Sequence, residues 1–327
     1  MYDIITIGAA TRDVFLESKN FKPTKDKNSP SGESLVFHLG SKNEVDRVYV
    51  STGGGATNAA VSFLRQGLKA SCISRVGSDS FADEIISELT KEGVDCSLIQ
   101  KDKRPETAYS TIVTAVDGSR SIFVRRGVSA DLKFSEIDKN KLKTRWFYIT
   151  SLAGNLDLLK KILNYAKKNN ISVAFNPGSK ELQAGLEKLA PLFNKVDILI
   201  LNEDEASELT GIHFKKEKEI FKFMDDIVDG ILVMTKGEKG VSVSDGKDIY
   251  SAGIPKSPVI ERTGAGDAFG SGFLSAILQK KDLSYAVQLA TANSTSVIQY
   301  FSAKTGILKK GKWGKYPKVK VSKISIS

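Results

Sequence analysis

The segment from Glu261 to Phe273 reads Glu-Arg-Thr-Gly-Ala-Gly-Asp-Ala-Phe-Gly-Ser-Gly-Phe and carries the residues best suited to chemistry. It opens a helix whose apolar side is Phe269, Phe273, Leu274, Ile277 and Leu278. The first turn of a helix has unpaired N–H groups and a positive dipole end. Gly264, Ala265 and Gly266 carry almost no side chain, so an anion can approach those N–H groups closely. Asp267 falls in or beside that turn, a carboxylate fixed next to an anion site. Such a carboxylate can accept a proton from a hydroxyl while an incoming phosphoryl group is held. The same residues also fit a plainer role, in which the glycines permit close helix packing and Asp267 only caps the helix.

Three further segments carry weaker signals. Gly53-Gly54-Gly55-Ala56-Thr57-Asn58 places three glycines before a helix, either for close approach to a ligand or as a flexible hinge. Asn58 can both donate and accept hydrogen bonds. Asn202-Glu203-Asp204-Glu205 follows the apolar run Asp197 to Leu201 and suits magnesium-bound water or phosphate. It is equally an ordinary helix start. Thr235-Lys236-Gly237 follows another apolar run and by itself is a turn signal. Two tempting matches fail. Gly306 to Lys312 fits a P-loop spacing, but Trp313 stands where a Ser or Thr should bind magnesium. Gly8-Ala9-Ala10-Thr11-Arg12 lacks the dinucleotide fingerprint. Asn293-Ser294-Thr295 is a glycosylation triplet, but it lies inside a predicted helix.

The elements that must position these residues follow from periodicity. Strands are predicted at 4–7, 70–76, 146–150, 171–175, 197–201 and 231–235, and helices at 56–66, 81–91, 156–168, 203–210, 216–228, 266–280 and 284–300, with a weaker one near 181–189. Asp79 is a predicted cap for the second helix, and Gly93 lies just past its end. The alternation from residue 145 onward argues for an α/β fold with a largely parallel sheet. Ligands should then sit at the carboxyl ends of the strands, which is where the four segments fall. Residues 18–34 read as loop, followed by extended pieces at 35–39 and 45–50. Residues 107–116 and 120–124 form a predicted hairpin around Asp117-Gly118. These pieces form an expected β lid, 18–50 plus 107–124, over a core of 1–17, 51–106 and 125–309.

Composition narrows the class. The 327 residues are 41% hydrophobic and 26% charged, the balance of a globular protein. No apolar run approaches the roughly 20 residues of a membrane span. The N-terminus lacks the basic and apolar regions of a signal peptide, so a cytoplasmic location is expected. Cys72, Cys96, His38 and His213 show no metal spacing and are expected to be structural or superficial. The net charge of +10 is concentrated toward the end, in Lys304, Lys309, Lys310, Lys312, Lys315, Lys318, Lys320 and Lys323. Without a nucleic-acid motif, this reads as a solvated basic tail, 310–327, dispensable for chemistry.

Taken in order, the segments resemble the ribokinase-type, or PfkB, family of carbohydrate kinases. The resemblance runs from Ile4 to about Leu308. Gly53 to Asn58, leading into Ala59-Ala60-Val61, is similar to the family's first signature, and Thr263 to Phe269 to its second. Asn202 to Glu205 fits its N-x-x-E motif, and Thr235 to Gly237, with Gly240, its nucleotide-side turn. The resemblance implies a three-layer α/β/α fold with a mainly parallel sheet and a small β lid. It implies ATP- and Mg2+-dependent phosphorylation of a hydroxyl on a sugar or sugar derivative. Asp267 would be the base, and the Gly264–Asp267 amides the anion hole. Asp13, Gly54, Gly55 and Asn58 would hold the substrate. Asn202, Glu205, Thr235, Gly237 and Asn293 would serve ATP, Glu205 reaching magnesium through water. Glu261 and Thr263 would fall at the monovalent-cation position of some members, and the lid would exclude water and in many members pairs two subunits.

Two departures stand out. Glu261 replaces the common Asp, which puts potassium activation in question, and Gly55 replaces a Lys frequent in ribose-specific members. The helix dipole is expected to keep Asp267 ionised and a weak base, with the hydroxyl losing its proton late. A nucleoside kinase of the same fold, and a catalytically silent ligand-binding protein, are the alternative readings.

Overall fold

The structure, a computed structural model, describes residues 1–29 and 32–326. Pro30 and Ser31, within the expected loop 18–34, and Ser327, at the end of the tail, lie outside the described residues. Among the described residues the strands form a nine-stranded sheet, a four-stranded sheet and two short two-stranded ribbons.

The large sheet begins at Ala70–Ile73 and runs through Tyr2–Ile7, Thr144–Ile149, Ser172–Phe175, Ile198–Asn202 and Ile231–Thr235, all parallel. It continues antiparallel through Val241–Ser244, Asp248–Ala252 and Val321–Ser325. Side chains alternate between its faces, as the pleat requires. Ile5, Ile7, Phe147, Ile149, Leu199 and Leu201 pack under the helices Leu156–Lys168, Leu186–Phe193 and Glu217–Asp225. Ile4, Tyr148, Ala174, Ile198, Ile200 and Val233 pack on the opposite side, against the helices Gly55–Arg65, Ala265–Leu278 and Leu283–Val297. Both faces are covered, which is why these strands read as continuous apolar runs. The result is the three-layer α/β/α arrangement expected from the sequence.

The four-stranded sheet runs Arg120–Arg125, Ala108–Thr114, Thr11–Glu17, Arg47–Gly53. Its hairpin turns at Gly118, which has φ 82°. Thr11–Glu17, grouped with the core by the sequence reading, is instead a central strand of this lid sheet, pairing with both Arg47–Gly53 and Ala108–Thr114. It has no helix before it, so alternation could not distinguish it from a loop. Residues 35–39 form no strand; a two-residue strand, Glu33–Ser34, precedes them.

Other boundaries have local causes. Asp79 accepts from the Ala82 N–H at 3.0 Å, and Gly93 adopts φ 89° at the end of Ser80–Glu92, both as predicted. The weak pattern near 181–189 is two helices, Ser179–Leu182 and Leu186–Phe193, separated where Gly185 takes φ 81°. Most of the tail is not free. Trp313 packs edge-to-face on Tyr285 at 5.1 Å, and Val321–Ser325 closes the sheet edge. No helix among the described residues is long and apolar enough to cross a membrane.

Candidate active site

The helix Ala265–Leu278 begins at Gly264 in the left-handed region, φ 83°. A side chain there would be strained and would also collide with Ala303. The turn therefore depends on glycine, and it leaves the first N–H groups of the helix without a side-chain cap. A Cβ at Gly266 would meet open space. Ala265 and Gly266 line a cleft of about 320 Å³ that also takes in Thr235, Gly237, Gly240, Ile254 and Ile298. The uncapped amides, the dipole and the empty space in front of Gly266 together suit an anion.

Asp267 is held from the opposite direction. Asn58 Nδ2 donates to Asp267 Oδ2 at 2.8 Å, linking the two glycine-rich segments across the molecule. Asn58 is 4% exposed, and its Oδ1 has no hydrogen-bond partner among the described residues. An orphaned buried acceptor of this kind suits a ligand hydroxyl. The glycines before it are not a loose hinge. A Cβ at Gly53 would strike the Asp13 carboxylate, and Gly54, at φ 95°, lies against the Ala9 carbonyl. Thr57 Oγ1 donates to the Gly53 carbonyl at 2.7 Å, fixing the turn.

Asp13 sits on the lid strand Thr11–Glu17, 5% exposed, and accepts from Thr11 Oγ1 at 2.8 Å. Burial raises its pKa above the ordinary carboxylate value, opposed by hydrogen bonds from Thr11 and Ser110 and by the charges of Lys304 and Arg12. Asp267 is raised in the same way: burial first, then the charge of Asp13, opposed by Asn58 and Lys304. This direction runs against the dipole-weakened base expected from the sequence, and desolvation is its largest cause. Two carboxylates that feel each other's charge, beside an unpartnered amide oxygen, are groups that can grip hydroxyls and take a proton from one.

Lys304 was missed as a site-supporting residue. Counted from sequence with a solvated basic excess, it is 3% exposed. Its Nζ donates to Thr52 O at 2.9 Å and Thr52 Oγ1 at 2.6 Å, and lies 3.5 Å from Glu88. Burial lowers its pKa, while Glu88 and Asp13 raise it. Glu181, also unremarked, is fully buried and accepts from the Leu152, Gly154 and Gly178 N–H groups at 2.8, 2.6 and 2.8 Å. It staples the loops that follow Thr144–Ile149 and Ser172–Phe175. Nothing in the local sequence separates either residue from a surface Lys or a helical Glu.

The nucleotide-side residues divide. Thr235 and Gly237 line the cleft. Asn202 and Glu205 do not; they form a reciprocal capping box, each accepting from the other's backbone N–H at 2.8 Å. Asn202 does pair in register with Thr235 at the cleft rim. Asn293 is fully buried outside the lining, donating to Ala268 O at 2.8 Å and accepting from the Leu308 N–H at 2.8 Å. The neighbouring Thr291, Ser294 and Thr295 face the cleft instead. The helix register was one position away from the expected contact.

Glu261 and Thr263 contact each other rather than an open cavity. Glu261 Oε1 accepts from Arg262 N, Thr263 N and Thr263 Oγ1 at 2.8, 2.9 and 2.8 Å, and Oε2 from Thr114 Oγ1 at 2.9 Å. Arg120 Nε lies 3.6 Å from Oε1. These donors leave the pair poorly fitted to a monovalent cation.

Residues 3–310 match the pfkB family carbohydrate kinase description. Among curated relatives, a ribokinase of Haemophilus influenzae is 28% identical over 265 residues, covering 79% of this chain and 84% of its own. A cytidine kinase of Thermococcus kodakarensis is 29% identical over 270 residues, covering 82% and 92%. The solved structure of Arabidopsis thaliana ribokinase complexed with ribose and ATP superposes with a TM-score of 0.78 at 19% identity, covering 94% of this chain and 96% of that one. The nucleoside kinase of Methanocaldococcus jannaschii gives 0.76 at 22%, covering 94% and 95%.

Proposed function

The chain belongs to the pfkB family of carbohydrate kinases, and we propose that it transfers the γ-phosphate of ATP to a hydroxyl of a sugar or sugar derivative, with Asp267 as general base. The observation that carries this reading is the 2.8 Å bond between Asn58 and Asp267 at the uncapped helix N-terminus. It supports the reading because it ties the carboxylate beside the proposed anion site to Asn58, whose free Oδ1 would meet the acceptor.

The 320 Å³ cleft would take the nucleotide, with its phosphates directed at Ala265 and Gly266. Asp13 and Asn58 Oδ1 would orient the acceptor so that one hydroxyl faces Asp267. The amides of Gly264 to Asp267 would stabilise charge on the transferring group, with no reorganisation needed at the moment of reaction. The raised pKa makes Asp267 a stronger base than an exposed carboxylate. Magnesium would neutralise phosphate charge. The described residues hold no group of three or more His, Cys, Asp or Glu that could hold a metal ion. Glu205 is engaged with Asn202 in the capping box and would reach such an ion only through water.

A nucleoside kinase is the second reading, favoured by the similarity to the Thermococcus relative named cytidine kinase. A ribose hydroxyl would suit the same machinery. Release of ADP across a panel of free sugars and nucleosides decides between them, and turnover with none of either would leave a silent binding protein. Pairing of two copies through the lid is supported by the exposed Val48, Val50 and Phe123, which share one face of its sheet. Sedimentation of the wild type and of a Val50→Glu/Phe123→Glu variant tests it.

A further inference from the structure

Glu261 is a buried carboxylate three residues before the anion site, and its charge must be balanced by something. An ionised carboxylate offers about four lone-pair sites. Oε1 takes three donors, the Arg262 and Thr263 amides and the Thr263 hydroxyl, and Oε2 takes the Thr114 hydroxyl. None of these four donors carries a charge. The charged neighbour is Arg120, whose guanidinium stands 3.6 Å from Oε1 and is itself 29% exposed. The Arg262 side chain is engaged elsewhere, 2.6 Å from Glu238.

We propose that Arg120 is a built-in countercharge for Glu261, standing in for the monovalent cation and making the anion site independent of potassium. Thr263 Oγ1, the other oxygen expected at a cation position, points its proton at Glu261. A cation added at Glu261 Oε1 would have to displace one of the three donors there and would meet the like charge of Arg120. Arg120 and Thr114 both belong to the lid hairpin, whereas Glu261 leads into Gly264. The pair therefore anchors the entry to the anion site against the lid. Arg120 also lines the same cleft as Ala265 and Gly266, so its positive charge faces the space proposed for phosphate. It acts as a positioning residue, through Glu261.

The proposal rests on the kinase reading only where nucleotide is used, and the test separates the two. The melting midpoint of the full chain is measured in potassium chloride and in choline chloride at equal ionic strength, without nucleotide. Affinity for a non-hydrolysable ATP analogue with magnesium is then measured in both salts. The wild type should show no potassium-specific shift in either. Arg120→Met should melt lower and acquire a potassium-specific rise of about 2 °C or more, because a cation that binds only the folded state stabilises it. Arg120→Lys, which keeps the charge, should stay near wild type. Should Arg120→Met fail to fold, the Glu261→Gln/Arg120→Met double variant removes the unpaired charge and should recover folding. A potassium-specific rise in the wild-type midpoint overturns the proposal, as does nucleotide affinity at least about fivefold tighter in potassium. So does an Arg120→Met protein indistinguishable from wild type. A wild type that binds no nucleotide in either salt counts against the kinase reading, and the melting arms still decide the role of Arg120.

Discussion

The side proposed for phosphate and the side proposed for the acceptor hydroxyl are built in opposite ways. The first is one continuous segment, Glu261 to Phe273, in which backbone direction and missing side chains supply the chemistry. The second is gathered from Asp13, Gly53 to Asn58, Ser110 and Lys304, residues that meet only because the lid sheet pairs Thr11–Glu17 with both Arg47–Gly53 and Ala108–Thr114. On the first side fixed dipoles face the cleft, and the buried carboxylate that leads into them, Glu261, is met by neutral donors and by Arg120. On the second, burial raises Asp13 against hydrogen bonds from Thr11 and Ser110 and the charges of Lys304 and Arg12, and Asp267, at the junction, is raised by burial and by Asp13. A dipole site tolerates changes around it, whereas a site of buried charges responds to each one.

The junction is where substitution should cost most. Asp267→Asn should lower kcat by about 10²–10⁴, the usual worth of a positioned general base. Affinity for ATP should barely change, because the helix amides remain. Stability should hold or rise at neutral pH. A carboxylate whose folded pKa is raised binds its proton more tightly when folded, so its contribution is best in acid and declines as pH climbs from the ordinary value through the raised one. The Asn variant loses that part of the slope. In the wild type kcat/KM should rise over the same window and then level, because the base must be deprotonated. A loss below tenfold with a good substrate, or an unchanged pH profile in the variant, removes Asp267 from the chemistry.

Gly266→Val tests the dipole side alone. A Cβ at that position meets open space, so the fold should survive, while the branched side chain fills the cleft in front of the amides. A fall in kcat of about 10²–10³ is expected, the scale seen when one oxyanion donor is removed. A folded variant with normal turnover would move the phosphate elsewhere.

The same contrast explains what could be read from sequence. The helix start proposed for phosphate was legible as structure because its spacing is local: small residues at a helix start and an acid in the first turn. The parallel sheet was legible for a similar reason, since apolar runs alternate with helical periods. Thr11–Glu17 was not, because a lid strand without a neighbouring helix leaves no alternation to follow. Lys304 could not be distinguished from the lysines after it, since only tertiary packing buries it against Thr52 and Glu88. Asn293 failed by helical register: its neighbours Ser294 and Thr295 face the cleft while it turns inward to Ala268 and Leu308. Asn202 and Glu205 show the limit of motif spacing, since one pattern describes both a capping box and a nucleotide motif.

Asp13→Ala probes the assembled side. A charged acceptor contributes about 1.5–3 kcal/mol per hydrogen bond, so KM for the hydroxylated substrate should rise about 10- to 100-fold. KM for ATP should stay within a factor of about two, because Asp13 lies outside the nucleotide cleft. Titrating each substrate in turn separates the outcomes. An equal rise for both would mean that the substitution disturbed Lys304 and the lid rather than a substrate contact.

The smallest effect on turnover should come from cutting the chain after Lys309. None of the residues gathered around Asp267 lies beyond that point, so kcat should stay within about threefold. Stability is another matter. Truncation removes Trp313 from Tyr285, the bond from Gln288 Nε2 to Val319 O at 3.0 Å, and the strand that covers Asp248–Ala252. An uncovered edge strand invites association between chains. A loss of about 1–2 kcal/mol is expected, a few degrees in melting temperature for a domain of this size, together with a greater tendency to aggregate. Tyr285 and Gln288 share their helix with Thr291, Ser294 and Thr295, which line the cleft proposed for the nucleotide. Any functional trace of the tail should therefore appear in KM for ATP and leave KM for the acceptor alone. If a folded, monodisperse truncation lost turnover more than tenfold, or lost affinity for the acceptor instead, the tail would have to reach the hydroxyl side by a route that its contacts do not provide.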